Sequence, residues 1–426
     1  MILKIILSCS ILNVVWCISR HPILIIISYD AFRYNLFDTK LLPNMENLRK
    51  AGTYADYMTN IFPTKTFPNH YSIATGVFAE THGVIGASYL DAATQKVVKK
   101  VEEMFHYNED VVPIWRWNEA QGDGRYSASF MWPGSDFPYQ GKDITYNQKF
   151  ARNFTHVQKV DKMLSWLTDP VKPANLVMLY IEGIDYPAHV YGSNSAQFME
   201  ELKKLDTLTK YIEDQLIKHN LSERANVVQL SDHGILSVPV QKVINVTQYM
   251  KPGTYTLLGS SPIFQIYPKK GFEPELYNSL KEGSRQNGHF KVYRKRSFPR
   301  RWHYKNNTRT PDLLVMADVG YGLEDLINDH IKYGKRHNLT LTNSTEFGVH
   351  GYDNNVEAMR PFFMARGPRI KKQHQVPPFR SVDLYNLFTQ ILEIPKRPTN
   401  GSMWHIVDIL RDSALPKETN ENTSVS

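Results

Sequence analysis

The sequence predicts an α/β fold built on a central, mostly parallel sheet sandwiched by helices. Three observations carry this. Short apolar runs, ILIIISYD from Ile23, ANLVMLYIEGID from Ala174 and ANVVQLSDHG from Ala225, show no polar alternation, as strands buried on both faces require. Between them lie helical patterns at Leu42–Lys50, Val157–Leu167 and Ala196–His219, and strands alternating with helices indicate a parallel sheet. Each run also ends in an acidic residue followed by a loop, and in such sheets ligands bind in the crevice outside the carboxyl ends of the strands.

The elements follow in order. The opening MILKIILSCSILNVVWCIS, with Lys4 ahead of a short apolar run and small residues at Cys17 and Ser19, reads as a signal peptide over 1–19. Both cysteines, Cys9 and Cys17, fall within it, so the expected mature chain has no thiol. A chain of this length buries a large core without disulfides. The first strand starts at Ile23, and one domain is expected over 20–412. Residues 81–155, rich in Trp, Tyr and Gly, read as a less regular insert over the crevice, and the polar tail 413–426 as disordered. No later run of about 20 apolar residues appears, so the mature protein is expected to be soluble rather than anchored. Sequons at Asn153, Asn220, Asn245, Asn306, Asn338, Asn343, Asn400 and Asn422 point to a secreted, extracellular protein.

The chemistry-bearing residues sit at the predicted strand ends. Asp30 closes "SYD"; Asp185 and His189 in "DYPAH" are four apart, one helical turn; Asp232 and His233 are adjacent in "SDHG", beyond their strand, where Gly234 is expected to relax the backbone; and His350 lies between glycines in "GVHGYDN". Three carboxylates and three imidazoles form a mixed oxygen and nitrogen donor set that favours zinc over magnesium or calcium. The stretch IFPTKTFPNHYSIATG adds three hydroxyls, Thr64, Thr66 and Ser72, and nothing local distinguishes them.

SYDAFR, PTKTFPNHYSIATG, THGVIG, WPGSD, DYPAH, SDHG and HGYDN occur in that order. Together they resemble the catalytic domain of the ectonucleotide pyrophosphatase/phosphodiesterase family, in the alkaline phosphatase superfamily, over about Ile23 to Ile409. The resemblance implies an alkaline phosphatase-like fold in a short, single-domain member. It also implies two zinc ions, one held by Asp185, His189 and His350, the other by Asp30, Asp232, His233 and the oxygen of Thr66, the implied nucleophile. Phe67, Trp132 and Tyr146 match nucleotide-contacting aromatics, and stacked rings contribute about 1–3 kcal/mol per base. The implied substrates are extracellular nucleotides such as ATP, ADP, dinucleoside polyphosphates or NAD, cleaved to nucleoside 5′-monophosphates.

The chain departs from the family pattern in two places. Ala87 stands where relatives carry an asparagine that donates to the phosphate oxygen gathering charge, and losing one such donor costs roughly 10²–10³ in rate. Ala188 replaces a glycine between the ligands Asp185 and His189. The first departure supports a second reading, a slow or inactive member that sequesters ADP or ATP. Finally, residues 284–311 contain no acidic residue and nine basic ones between Arg285 and Arg309. This stretch predicts either a solvated face or contact with an anionic glycan or cell surface. Specific nucleic-acid reading has no motif support.

Overall fold

In the computed structural model, which describes residues 18–99 and 102–411, the three apolar runs become Ile23–Tyr29, Leu176–Ile181 and Ala225–Leu230, the centre of an eight-stranded sheet. The signal-peptide expectation, apart from its last two residues, and the tail 413–426 lie outside the described residues. From edge to edge the strands are His374–Val376, Thr53–Ala55, Phe363–Arg366, Ala225–Leu230, Ile23–Tyr29, Leu176–Ile181, Ser127–Phe130 and Tyr146–Gln148. Phe363–Arg366 runs antiparallel to both its neighbours, and every other pairing is parallel.

Both faces of the sheet are covered, which is why the central strands read as unbroken apolar runs. Leu24, Ile26, Leu176, Met178, Val228 and Leu230 face one core, with the helices Thr66–Thr75 and Leu384–Leu392. Ile23, Ile25, Ile27, Val177, Leu179 and Ile181 face the other, against His156–Leu167 and Ala196–Lys218. Each buried aliphatic side chain contributes about 1.5–3 kcal/mol. The His156–Leu167 helix starts with a full capping box, Thr155 with Gln158, which satisfies two orphan backbone donors.

Residues 81–155 do two things. Ser127–Phe130 and Tyr146–Gln148 extend the main sheet, while Gly134 and Phe137, in the loop between them, overlie the crevice. A second, four-stranded antiparallel sheet of Tyr255–Ser260, Ile263–Pro268, Leu313–Ala317 and Phe290–Arg294 carries the helix Glu273–Asn287 and its own core. No described helix is long and apolar enough to cross a membrane.

The basic stretch is largely committed within the fold. Arg285 pairs with Glu282, Lys291 with Asp318, Arg294 with Glu273 and Arg301 with Asp353. Lys295 donates to the Asn307 carbonyl, and Arg309 is buried against the Gly83 and Met104 carbonyls. The stretch is nonetheless the solvated face expected of it, with Arg285, Lys291, Arg296, Arg300 and Arg301 all exposed. Acidic partners lie elsewhere in the sequence and meet these residues only in the fold.

Candidate active site

The carboxyl ends of the strands deliver the acidic residues to one place. Asp30 directly follows Ile23–Tyr29, Asp232 lies two residues beyond Ala225–Leu230, and Asp185 starts the helix Asp185–Tyr191 after Leu176–Ile181. His350 directly follows the strand Glu346–Val349. Two clusters result, Asp185–His189–His350 and Asp30–Asp232–His233, each with its candidate ligand atoms within 4.8 Å of one another.

The histidines are oriented from behind. His189 Nδ1 donates to the Gly348 carbonyl (2.7 Å), His233 Nδ1 to the Gly234 carbonyl (3.0 Å) and His350 Nδ1 to the Thr64 carbonyl (3.0 Å). With the proton fixed on Nδ1, each Nε2 presents a lone pair. Those lone pairs face carboxylates: His233 Nε2 lies 3.0 Å from Asp232 Oδ2 and 3.4 Å from Asp30 Oδ1, and His189 Nε2 lies 3.3 Å from Asp185 Oδ1. Asp30 Oδ1, Asp185 Oδ1 and Asp232 Oδ2 are all buried without a hydrogen-bond partner among the described residues. Buried acceptor atoms facing acceptors call for a cation between them, so this donor set fits divalent metal.

The electrostatics agree. Burial, then the neighbouring Asp232 and Asp185, push the Asp30 carboxyl well above the ordinary range, although Tyr180 donates to it at 2.5 Å. Burial would also raise Asp232, but His233 and His70 outweigh it and hold that carboxyl low. Burial together with His233 keeps His350 well below the usual imidazole value, hence neutral and able to ligate.

Two glycines permit this approach. A Cβ on Gly348 would sit 2.5 Å from backbone atoms of Ala188, so glycine lets the Asp185–Tyr191 helix lie against its strand. The alanine at 188 is accommodated there and the ligand turn is intact. A Cβ on Gly234 would sit 2.2 Å from the Ala358 carbonyl oxygen, so close packing, rather than the expected backbone freedom, is what requires glycine.

The three hydroxyls separate clearly. Thr64 is buried and donates to the Tyr352 carbonyl (2.8 Å), and Ser72 donates to the Val77 carbonyl (2.7 Å). Thr66, the first residue of its helix, has Oγ1 3.3 Å from His233 Nε2 and borders both cavities that open at the site. Beneath it, His70 Nδ1 meets the Thr66 carbonyl (2.9 Å), and Nε2 meets Ser28 (2.8 Å).

One cavity, of about 1270 Å³, is walled by Phe67, Phe105, Trp132, Phe137, Phe150 and Phe154 among others. Phe67 stands beside Thr66 as expected. Trp132 borders the cavity but is 1% exposed, its indole donating to the His70 carbonyl (3.2 Å). Tyr146 is not brought there. Its edge strand turns the ring onto Trp166 (5.9 Å), and its hydroxyl donates to the Lys172 carbonyl (3.1 Å). The expected contact at Tyr146 is therefore corrected, and the half-exposed ring of Phe150, four residues on, borders the cavity instead. The aromatic in "YNQKF" was the available signal for it. Sequence reasoning also missed the buried Lys159, which pairs with Glu182 at the cavity wall.

The other cavity, of about 360 Å³, adjoins Asp185, His189 and His350 and includes Lys65, Ala87, Gln265, Asp325 and His330. Lys65 donates to the Ser261 carbonyl (2.7 Å) and Ser260 Oγ (3.2 Å). Burial lowers it to about 8 against the pull of Asp325 and Asp185, and burial raises Asp325 to about 6. Ala87 brings only a methyl group to this wall.

Comparison with known proteins places this geometry in a family. Residues 24–353 match the model of the type I phosphodiesterase / nucleotide pyrophosphatase family. The bis(5′-adenosyl)-triphosphatase of Xenopus laevis is 33% identical over 90% of this chain and 81% of its own length. The human ectonucleotide pyrophosphatase/phosphodiesterase family member 5 is 32% identical over 92% of this chain and 79% of its own length. The solved structure of its murine counterpart, an inactive threonine-to-alanine variant in complex with AMP, superposes with a TM-score of 0.81 at 31% identity, covering 92% of this chain and 100% of that one.

Proposed function

The chain belongs to the type I phosphodiesterase / nucleotide pyrophosphatase family, a family of hydrolases, and from that premise we propose that it cleaves extracellular nucleotides to nucleoside 5′-monophosphates with Thr66 as nucleophile. The observation that carries this is the set of orphaned carboxylate oxygens facing three Nε2 lone pairs, with the Thr66 hydroxyl beside them. Two zinc ions fit these ligands, one on Asp185, His189 and His350, the other on Asp30, Asp232 and His233. Bound there they supply positive charge that lowers a hydroxyl pKa and offsets charge on phosphate.

The chain's own residues do the rest. Phe67 and Phe150 border the aromatic cavity and hold the base by stacking. The helix amino end at Thr66 favours negative charge on the phosphate. Thr66 Oγ1 forms the bond to phosphorus as the bond to the leaving oxygen breaks, and water then releases the 5′-monophosphate. The murine relative that is inactive as a threonine-to-alanine variant and holds AMP supports both roles. The relatives named as bis(5′-adenosyl)-triphosphatases support a dinucleoside polyphosphate among the substrates. Secretion and glycosylation belong to the same proposal, supported by the exposure of all seven sequon asparagines within the described residues.

A second reading, sequestration of ADP or ATP with little turnover, rests on Ala87. Product formation from a chromogenic 5′-nucleotide diester, with and without zinc, decides between them. Zinc-dependent product in excess of protein supports the enzyme; saturable nucleotide binding by calorimetry without product supports sequestration. Ala87→Asn should raise kcat by about 10- to 1000-fold if the missing donor limits the rate. No gain would show that another group serves.

A further inference from the structure

The short helix Glu102–Phe105 ends in three successive carbonyls, each held by a side chain from elsewhere in the chain. A helix end leaves its carbonyls without internal partners. Here Arg309 Nη2 donates to the Glu103 carbonyl, Arg309 Nη1 to that of Met104 (2.7 Å) and Tyr71 Oη to that of Phe105 (3.0 Å). Arg309 Nη1 also donates to the Gly83 carbonyl (3.0 Å). The buried guanidinium lies over the rings of Tyr89 (4.0 Å) and Tyr107 (4.9 Å). Its planar fork of donors suits several carbonyls at once, whereas a lysine ammonium is a point charge without that geometry. Arg309 borders neither cavity, yet it ties together a turn from each. Gly83 leads into residues 85–88, which border the smaller cavity, and Phe105 borders the larger one.

The Phe105 ring is what this tie fixes in place. It packs on Phe67 (6.4 Å between ring centres), on Phe137 (5.7 Å) and edge-on to Tyr71 (5.2 Å). Gly134 leaves room for it, since a Cβ there would sit 2.9 Å from Phe105 Cδ1. Phe67 and Phe137 also border the large cavity, while Phe105 itself is almost wholly covered. It therefore backs the two rings more than it offers a surface of its own. We propose that Arg309 is a positioning residue for base recognition: it seats Phe105 against Phe67 and so sets the aromatic wall relative to the wall beside the phosphate. The proposal rests on the phosphodiesterase reading above. Contacts to a ligand are precise only where the layer behind them is held, to within about 0.5 Å.

The test compares two diesters with the same leaving group on the full, zinc-loaded chain. Thymidine 5′-monophosphate p-nitrophenyl ester carries a base, and bis(p-nitrophenyl) phosphate does not. Arg309→Lys should lower the ratio of their kcat/KM values, nucleotide over base-free, about tenfold, mainly through KM for the nucleotide. Arg309→Gln, which keeps one donor group, reads the same ratio if the lysine variant does not fold. In a Phe105→Ala background the same substitution should change the ratio no further, because the ring it positions is gone. A general loss of stability would instead depress both substrates together. An unchanged ratio, or one that falls just as far again without the Phe105 ring, would overturn the proposal and leave the phosphodiesterase reading standing. If the wild type cleaves neither diester, that reading fails and AMP affinity by calorimetry decides. It should fall about tenfold in the Arg309 variant and no further when Phe105 is already alanine; an unchanged affinity would overturn the positioning role on its own.

Discussion

Thr64, Thr66 and Ser72 share one short segment but not one environment. Thr64 and Ser72 each spend their proton on a backbone carbonyl, while of the three hydroxyls that of Thr66 lies beside the histidine of a metal-capable cluster. Thr66→Ala should abolish turnover yet keep AMP affinity within about tenfold, since the aromatic wall and six ligand side chains remain. Thr64→Ala should do the reverse. Loss of its buried hydrogen bond should lower stability by about 0.5–1.5 kcal/mol and leave kcat within about threefold. Chemical denaturation and steady-state rates on the two variants check this, and an inactive Thr64→Ala with active Thr66→Ala would reverse the assignment. The aromatic contacts divide in the same way. Phe150→Ala should raise KM about tenfold or more through lost stacking, whereas Tyr146→Ala should lower the melting temperature through lost packing on Trp166 and leave KM alone.

At the scale of elements, legibility in the sequence followed burial. Ile23–Tyr29, Leu176–Ile181 and Ala225–Leu230 were readable because covering both faces of a strand leaves an unbroken apolar run, and the acid at each end marked the crevice. The long Ala196–Lys218 helix was readable from its period. Tyr146 was not, because Tyr146–Gln148 is a three-residue edge strand, and a side chain's face there depends on register. The four-stranded second sheet went unread as a unit, since its antiparallel partners are set by contacts distant in sequence. The reason for Gly234 and Gly348 was equally hidden, because each is demanded by backbone from another segment. Gly348→Ala tests that demand. Its Cβ would overlap Ala188 backbone, forcing the Asp185–Tyr191 helix away at a cost of about 1–3 kcal/mol. It should also detach His189 from the Gly348 carbonyl. Zinc affinity at this cluster should fall about 10- to 100-fold, as expected for loss of a histidine's orienting partner. Unchanged affinity by metal titration would show that the helix does not depend on that contact.

For the molecule as a whole, metal bound at the proposed sites would be linked to folding through the Asp30–Asp232 pair. Without metal, burial and the neighbouring carboxylates hold the Asp30 proton well above the ordinary carboxylate range, so the pair as a unit keeps a proton that the unfolded chain has lost. A folded pKa above the unfolded one gives stability that is full below the unfolded value and is lost as pH rises through the folded value. The pair's own contribution to metal-free stability should therefore fall as pH rises from about 4 toward neutrality, where the unfolded carboxylates have already ionised. The buried imidazoles of His70, His82 and His350, held below the usual value, contribute in the opposite sense. Zinc bound at the proposed sites would also act against the pair's trend, because its ligands must be deprotonated and its binding free energy adds to that of folding. At acid pH zinc would compete with the pair's proton, and the competition weakens as pH rises. The gap in melting temperature between zinc-loaded and chelator-treated protein should thus be small near pH 5 and widen steadily to pH 8. Differential scanning calorimetry across that range reads it directly. Asp30→Asn, which carries no such proton, should flatten the dependence, and a gap that narrows with rising pH would show that some other group governs the link between the metal centre and the fold.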